Sequence, residues 1–346
     1  MAWRFALMRY AATIACNCTD TKCWSKARAS RIGVGCSVDL AVPDSHGRGM
    51  PRQERNCWLQ QLSVSRIDPN SIYASGDGDV VLVSASKNSS GFKFFRRTRK
   101  EYADVHGYST FHCFTDVLRS AGTIPDVLAG HHTKAVCLML AFMYNPQATW
   151  MLWTDDDVVI NPLYRATPLS LFLDTVPSGA DGAVTLVMGK DPGTNTGAFF
   201  VRKNCAGWQL MHQWMDVSMK QTFTWSDQTS LRSIIADHLY RGAGMHFSDC
   251  ARTGNSGRLW KPGVCDAMWR RMVPRSLAGM DQIPSSATTP FYFLDGKLTP
   301  QLATLYGTIV SSTRPSTLLL HPAGHKGDDL ARLSEAHRDL YRVSPQ

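Results

Sequence analysis

Past its opening residues this chain has no run of about 18 uninterrupted apolar residues, which excludes an ordinary membrane-spanning helix there. The opening stretch, MAWRFALMRYAATIAC, is mildly apolar but is broken by Arg4 and Arg9. It is too short for a span and makes a poor signal peptide. Either the chain is soluble or its anchor lies outside this sequence. Zinc-finger spacing and RNA-binding aromatic signatures are also missing, so nothing specific directs the net charge of +9 toward nucleic acid. That charge suits polyanions, acidic membranes or phosphorylated small molecules alike. There is no internal repeat. Residues 1–75 lack any sustained period and are expected to be a poorly ordered, cysteine-containing leader.

What is present fits a globular protein: 346 residues, 44% of them apolar and 19% charged, enough for one large domain or two small ones. Five of the ten cysteines fall within the first 57 residues. CNCTDTKC resembles half a metal knuckle, but no matching Cys or His pair follows at a useful distance. Disulfides in an oxidising lumen are the preferred reading, with Cys137, inside an apolar helical pattern, expected as a buried thiol. Sequons at Asn17 and Asn88 permit a secretory route.

From residue 79 the pattern sharpens. Residues 79–86, DVVLVSAS, read as a buried parallel strand. Helix character follows at 92–107, a strand at 108–113, and an apolar helix at 133–145. A third strand, TWMLW, leads into three aspartates. Further strands are expected at 182–188 and 197–202. Helices are expected at 206–219 and 227–240, the latter capped by Ser226. This alternation predicts an α/β sheet, and ligands in such sheets bind beyond the carboxyl ends of the strands. Residues 250–315 look like long loops or an insertion.

That carboxyl end is where Asp155, Asp156 and Asp157 stand. Adjacent carboxylates repel unless a cation, a proton or water offsets them. Asp155 and Asp157 flank one residue, so both can face one point and offer hard oxygens to Mg²⁺ or Mn²⁺. A diphosphate bridged to such a metal leaves more readily. A solvated acidic turn is the plain alternative, though the preceding WMLW argues against spending a buried strand end on it. Downstream, Asn195, Thr196 and Gly197 open a strand where backbone can approach a ligand and Asn can meet a sugar hydroxyl, or where a turn needs its angles. Asp227 and Gln228 begin a helix, as site residues or as simple capping. After an apolar strand come His321, His325 and Lys326, an imidazole able to complete a metal site and a mobile cation suited to phosphate.

Taken in order, these segments resemble the retaining glycosyltransferase family that includes yeast α-1,2-galactosyltransferases and plant xyloglucan xylosyltransferases. KEYADVHGY resembles its "YaxxHGY", through Tyr102, Ala103, His106, Gly107 and Tyr108. HTKAVCLMLAFM keeps Lys134 of its "WaKlxxlxxxm", with His132 and Thr133 where Trp and a small residue are expected. WTDDDVVINP resembles "WmDsDaxixnp", and NTGAFFVRKNCAGW resembles "NtGsFliRNcxWs". WSDQTSL resembles "DDQsal" with Ser226 for the first acid, and LHPAGHK keeps His321, Gly324 and Lys326 of "tHfxGCK". The resemblance implies a GT-A fold over residues 76–346, a Rossmann-like mixed sheet flanked by helices. It implies a nucleotide-sugar donor of UDP-galactose, UDP-xylose or GDP-mannose type, and Mn²⁺ (or Mg²⁺) on Asp155, Asp157 and His321. Asp227 and Gln228 would be catalytic; Lys134, Asp156, Asn195, Thr196, Gly197, Gly324 and Lys326 would bind donor or substrate. A glycan or glycoprotein acceptor and a Golgi lumen follow from it, with membrane association through a weak or missing anchor. Two alternatives stay open: a haloacid-dehalogenase-type phosphatase with Asp155 as nucleophile and Asp157 as acid/base, and a non-catalytic glycan-binding relative.

Overall fold

The computed structural model describes residues 72–87, 93–120, 133–145, 147–161, 164–176, 186–188, 196–220, 227–228, 230–231, 234–235, 291–294, 303–305 and 317–321. In chain order the elements are β1 (Ile72–Ser75), β2 (Val80–Ser86), α1 (Lys93–His106), β3 (Ser109–Phe114), α2 (Thr115–Ser120), α3 (Thr133–Tyr144) and β4 (Trp150–Thr154). There follow β5 (Val159–Ile160), α4 (Ser170–Leu173), β6 (Leu186–Met188), β7 (Ala198–Arg202), α5 (Cys205–Lys220), β8 (Phe291–Phe293), β9 (Ala303–Leu305) and β10 (Leu319–His321).

The main sheet runs β1-β3-β2-β4-β7-β6-β8, and a small one runs β5-β10-β9. β2 pairs parallel with both β3 and β4, whereas β4 with β7 and β7 with β6 are antiparallel. The fold is therefore mixed α/β, with a mixed sheet flanked by helices, as expected. Parallel neighbours need crossovers, and α1 and α3 lie on the chain paths that join β2 to β3 and β3 to β4.

Alternation along the strands sorts side chains onto two faces. Val81, Val83, Phe111, Met151, Trp153, Phe199 and Val201 pack with α3 and α5 in one buried cluster. Val80, Leu82, Trp150, Leu152, Val187 and Phe200 pack in the other with Tyr102 and Ala103 of α1, with Val158, and with Ile160 and Leu319 of the small sheet. α3 is buried continuously from Thr133 to Phe142, as suits a helix apolar on every side. It is tied to β3 by a Cys113–Cys137 disulfide, so the expectation of a free Cys137 thiol is corrected. The two cysteines are distant in sequence, and only pairing of α3 against β3 brings them together.

Some boundaries also shift. β1 lies inside the stretch read as leader and pairs antiparallel with β3; residues 1–71 lie outside the described residues. β8 and β9 fall within the stretch read as long loops, at an FYF run and at Ala303–Leu305. Gly107 turns α1 into β3 with φ +68°, and a Cβ on Gly78 would run into its carbonyl oxygen. Among the described residues no helix is long and apolar enough to cross a membrane.

Candidate active site

β4 delivers the acidic turn. Its five residues are buried, and the chain then turns so that Val158 N donates to Asp155 O at 2.9 Å. Asp155 N donates to Gly197 O at 2.7 Å, which fixes the turn against the start of β7. Trp153 Nε1 donates to Asp155 Oδ1 at 2.8 Å. The first aspartate is thus held by the strand that carries it.

Its charge is met by a lysine from the opposite helix end. Lys134, in the first turn of α3, is 6% exposed. Its ammonium lies 2.7 Å from Asp155 Oδ1 and 2.7 Å from Asp227 Oδ2. It also donates to Thr196 O at 3.1 Å and Thr196 Oγ1 at 3.3 Å, and stands 5.8 Å over the Trp153 ring. Burial alone would lower its pKa, but the two carboxylates outweigh burial and raise it. Asp227 is equally enclosed: Thr196 Oγ1 donates to its Oδ2 at 2.6 Å, while Trp214 Nε1 and Ser230 Oγ donate to its carbonyl oxygen. Three residues named from the sequence, Lys134, Asp155 and Asp227, are brought together, with Thr196 as their fourth member. The lysine spends its protons on protein groups.

A second buried cation serves the same turn. Arg99, on α1, donates Nε to Thr154 Oγ1 at 2.8 Å and Nη2 to Asp155 O. It is 3% exposed; burial lowers its pKa, with Asp156, Asp157 and Asp155 pulling it back up. Asp156 shows the other side of this balance. Burial pushes its carboxyl up to about 7, while Arg99 and Arg96 pull it down. Repulsion among the aspartates is thus offset by buried cations on the sheet's two faces, Lys134 on one and Arg99 on the other.

Two observations concern the residues expected to hold a metal. Both carboxylate oxygens of Asp156 are buried without a hydrogen-bond partner, and such hard oxygens suit a cation or a proton donor. Among the described residues, however, no three His, Cys, Asp or Glu side chains form a group able to hold a metal ion. The third expected ligand, His321, is described only in its backbone. β10 pairs antiparallel with β5 through Leu320 and Val159, a register that carries the next residue, His321, toward Val158 and the acidic turn. Asn161 secures this approach: its N donates to Leu318 O at 2.7 Å and its Nδ2 to Thr317 O at 3.0 Å.

Of the remaining expectations, Gln228 follows Asp227 on helical residues and is half-buried. Gly197 acts through its carbonyl. Asn195, Gly324, Lys326, His132 and Ser226 lie outside the described residues. The aromatic motif of α1 proves to be a brace. Tyr102 Oη donates to Thr167 O at 2.6 Å, His106 Nε2 meets Arg165 O at 2.6 Å, and Leu169 N donates to Tyr108 Oη at 2.9 Å. These contacts hold the segment that follows β5. Sequence reasoning missed Arg99, hidden in the basic run RRTRK. Its spacing of three and four from buried Tyr102 and Ala103 is the signal that places it on the inner face.

No protein-family model matches this chain, and no curated protein matches it. Among solved structures it is similar to a glycosyltransferase involved in the glycosylation of the major capsid of PBCV-1. That likeness covers 77% of this chain and 100% of the other, at 14% identity and a TM-score of 0.43. A likeness of that degree decides neither family nor activity.

Proposed function

We propose that this chain is a metal-dependent retaining glycosyltransferase. It would move a sugar from a UDP-galactose, UDP-xylose or GDP-mannose type donor to a hydroxyl of a glycan or glycoprotein acceptor. The observation that carries this reading is the Asp155–Lys134–Asp227 bridge at the carboxyl end of β4. It joins the first residue of the acidic turn to the helical segment that the resemblance assigns to the reacting centre. Mn²⁺ or Mg²⁺ would be held by Asp155, Asp157 and His321, and when bound would neutralise charge on the departing diphosphate. Lys326, beside Gly324, is the cation assigned to the same diphosphate. Asp227 and Gln228 would face the anomeric carbon and the acceptor, stabilising positive charge that develops on the sugar. Lys134 would hold Asp227 in place. The Cys113–Cys137 disulfide supports an oxidising lumen, such as the Golgi.

The test is Mn²⁺-dependent thermal stabilisation by UDP-galactose, UDP-xylose, UDP-glucose and GDP-mannose, followed by transfer assays. Stabilisation and transfer by one donor, both abolished by chelation, are expected. No stabilisation by any donor, with cleavage of p-nitrophenyl phosphate instead, would favour the phosphatase reading. Binding without transfer would favour the non-catalytic one.

A further inference from the structure

Apolar packing does not by itself fix the rotation of α3 about its axis. From Ala135 to Phe142 the helix is buried throughout and carries no charged or hydroxyl side chain. A polar stripe facing water orients most helices, and these turns have none. Apolar contact is non-directional, and cores lose uniqueness of arrangement before they lose stability. Direction must come from contacts of another kind.

Two such contacts leave the start of α3. Lys134 bridges Asp155, which follows β4, and Asp227. Cys137 is bonded to Cys113 of β3. Positions three apart share one helix face, so both anchors leave α3 from the same side, within a single turn. β3 and β4 flank β2 in the sheet, and α3 packs over β2. The helix is thus pinned on both flanks of the strand beneath it, once by a covalent bond and once by an ionic bridge. With either pin removed, α3 can pivot about the other.

We propose that the Cys113–Cys137 disulfide positions Lys134, so that the Asp155–Lys134–Asp227 bridge is complete only in the oxidised protein. Opening the bond takes two electrons and two protons from a dithiol, which leaves as its own disulfide while Cys113 and Cys137 become thiols. Both cysteines are fully buried, so the redox conditions met during folding decide the state of the site. Cys113 and Cys137 are in this sense positioning residues. The claim concerns the bridge and not turnover, so it stands or falls separately from the glycosyltransferase reading.

The experiment reads Lys134 directly. The folded full chain is acetylated with acetic anhydride at neutral pH in EDTA, and peptide mapping compares Lys134 with exposed Lys100 as internal reference. Three proteins are compared: the oxidised parent, the Cys113→Ala/Cys137→Ala variant, and the parent folded and kept in a dithiol. The last retains both sulfurs and lacks only the bond, so it controls for the space that alanine leaves. In both unbonded forms Lys134 is expected to react about tenfold faster, relative to Lys100, than in the oxidised parent, within the range spanned by coupling between contacting groups. Lys134→Met should also lower the folding equilibrium constant by a smaller factor in the alanine background than in the parent, again by about tenfold. Equal Lys134 reactivity in all three proteins overturns the proposal, because the bond then acts only on the unfolded chain through loop closure. Faster reaction in the alanine variant alone assigns the effect to the cavity and overturns it too. If neither unbonded form folds, the bond serves the whole fold, and a role specific to Lys134 is refuted.

Discussion

Lys134 Nζ and Asp227 Oδ2 stand 2.7 Å apart, both almost wholly withdrawn from water. One brings the start of an apolar helix, the other the start of a helical segment nearly a hundred residues later. Neither could be buried alone at tolerable cost, since an isolated buried charge loses far more solvation than packing returns. Their union, with Asp155 as the third member, makes the site a condition of the fold rather than an ornament on it.

Lys134→Met should therefore destabilise strongly. It leaves Asp155 and Asp227 facing each other with no cation between them, and breaking a buried pair in this way costs about 3–5 kcal/mol. Lys134→Arg should recover only part, because a planar fork cannot reproduce the tetrahedral set of contacts to two carboxylates and Thr196. Urea unfolding at neutral pH measures both. A loss below about 1 kcal/mol in Lys134→Met would contradict the bridge.

How much of this could be read in the sequence depends on length and chemistry. β2, β3, β4, β7, α1, α3 and α5 were legible because each runs long enough to show a period of two or of three to four. β5, β8 and β9, at two or three residues, show no period at all, and their pairing is decided by distant partners. The acidic triplet and Lys134 were visible as charges in apolar surroundings. Arg99 was not, because three other basic residues, Arg96, Arg97 and Lys100, disguise it as a solvated face. The brace made by Tyr102, His106 and Tyr108 was visible as a motif, but its partners between 164 and 169 carry no signal.

The disulfide gives a second test. Cys113 and Cys137 are both fully buried and close a loop with a sequence separation of 24. Loop-closure entropy for such a length corresponds to about 3 kcal/mol. Peptide mapping without reductant should recover the 113–137 cross-link, and the Cys113→Ala/Cys137→Ala double variant should lose stability of that order. Two alkylatable thiols in the unfolded, unreduced protein would refute the pairing.

Tyr108→Phe should loosen the segment after β5. The phenolic oxygen that receives Leu169 N would be gone, leaving a backbone donor unpaired at about 1–2 kcal/mol. Tyr102→Phe deprives Thr167 O of its donor at a comparable cost. Because both act on one short segment, the double variant should lose less than the sum of the singles. Strict additivity in denaturant melts would show that the segment does not move as a unit.

His112 sets a pH dependence whose sign can be worked out. It is 3% exposed on β3, with Nδ1 2.7 Å from Ser84 Oγ and Nε2 2.9 Å from Ser86 Oγ. A neutral ring serves this pair well: one nitrogen donates, the other accepts. Burial, then Arg99 and Arg96, pushes its pKa down to about 3 from the ordinary 6.5. Below pH 6.5 the unfolded chain takes up a proton that the folded one refuses, so His112's contribution is complete above 6.5 and drains away as pH falls toward 3. The slope approaches about 1.4 kcal/mol per pH unit within that window. Asp156 runs the opposite way, since its folded pKa is raised to about 7 and its stabilising effect grows as pH falls. Whole-protein profiles therefore blend the two, and the His112 term is isolated by difference. His112→Asn, which cannot titrate, should be less stable than the parent at pH 7.5 and should close that gap by pH 5, because every other group is common to both proteins. Parallel unfolding profiles across pH 5–7.5 would mean that the ring between Ser84 and Ser86 already carries its proton in the folded protein.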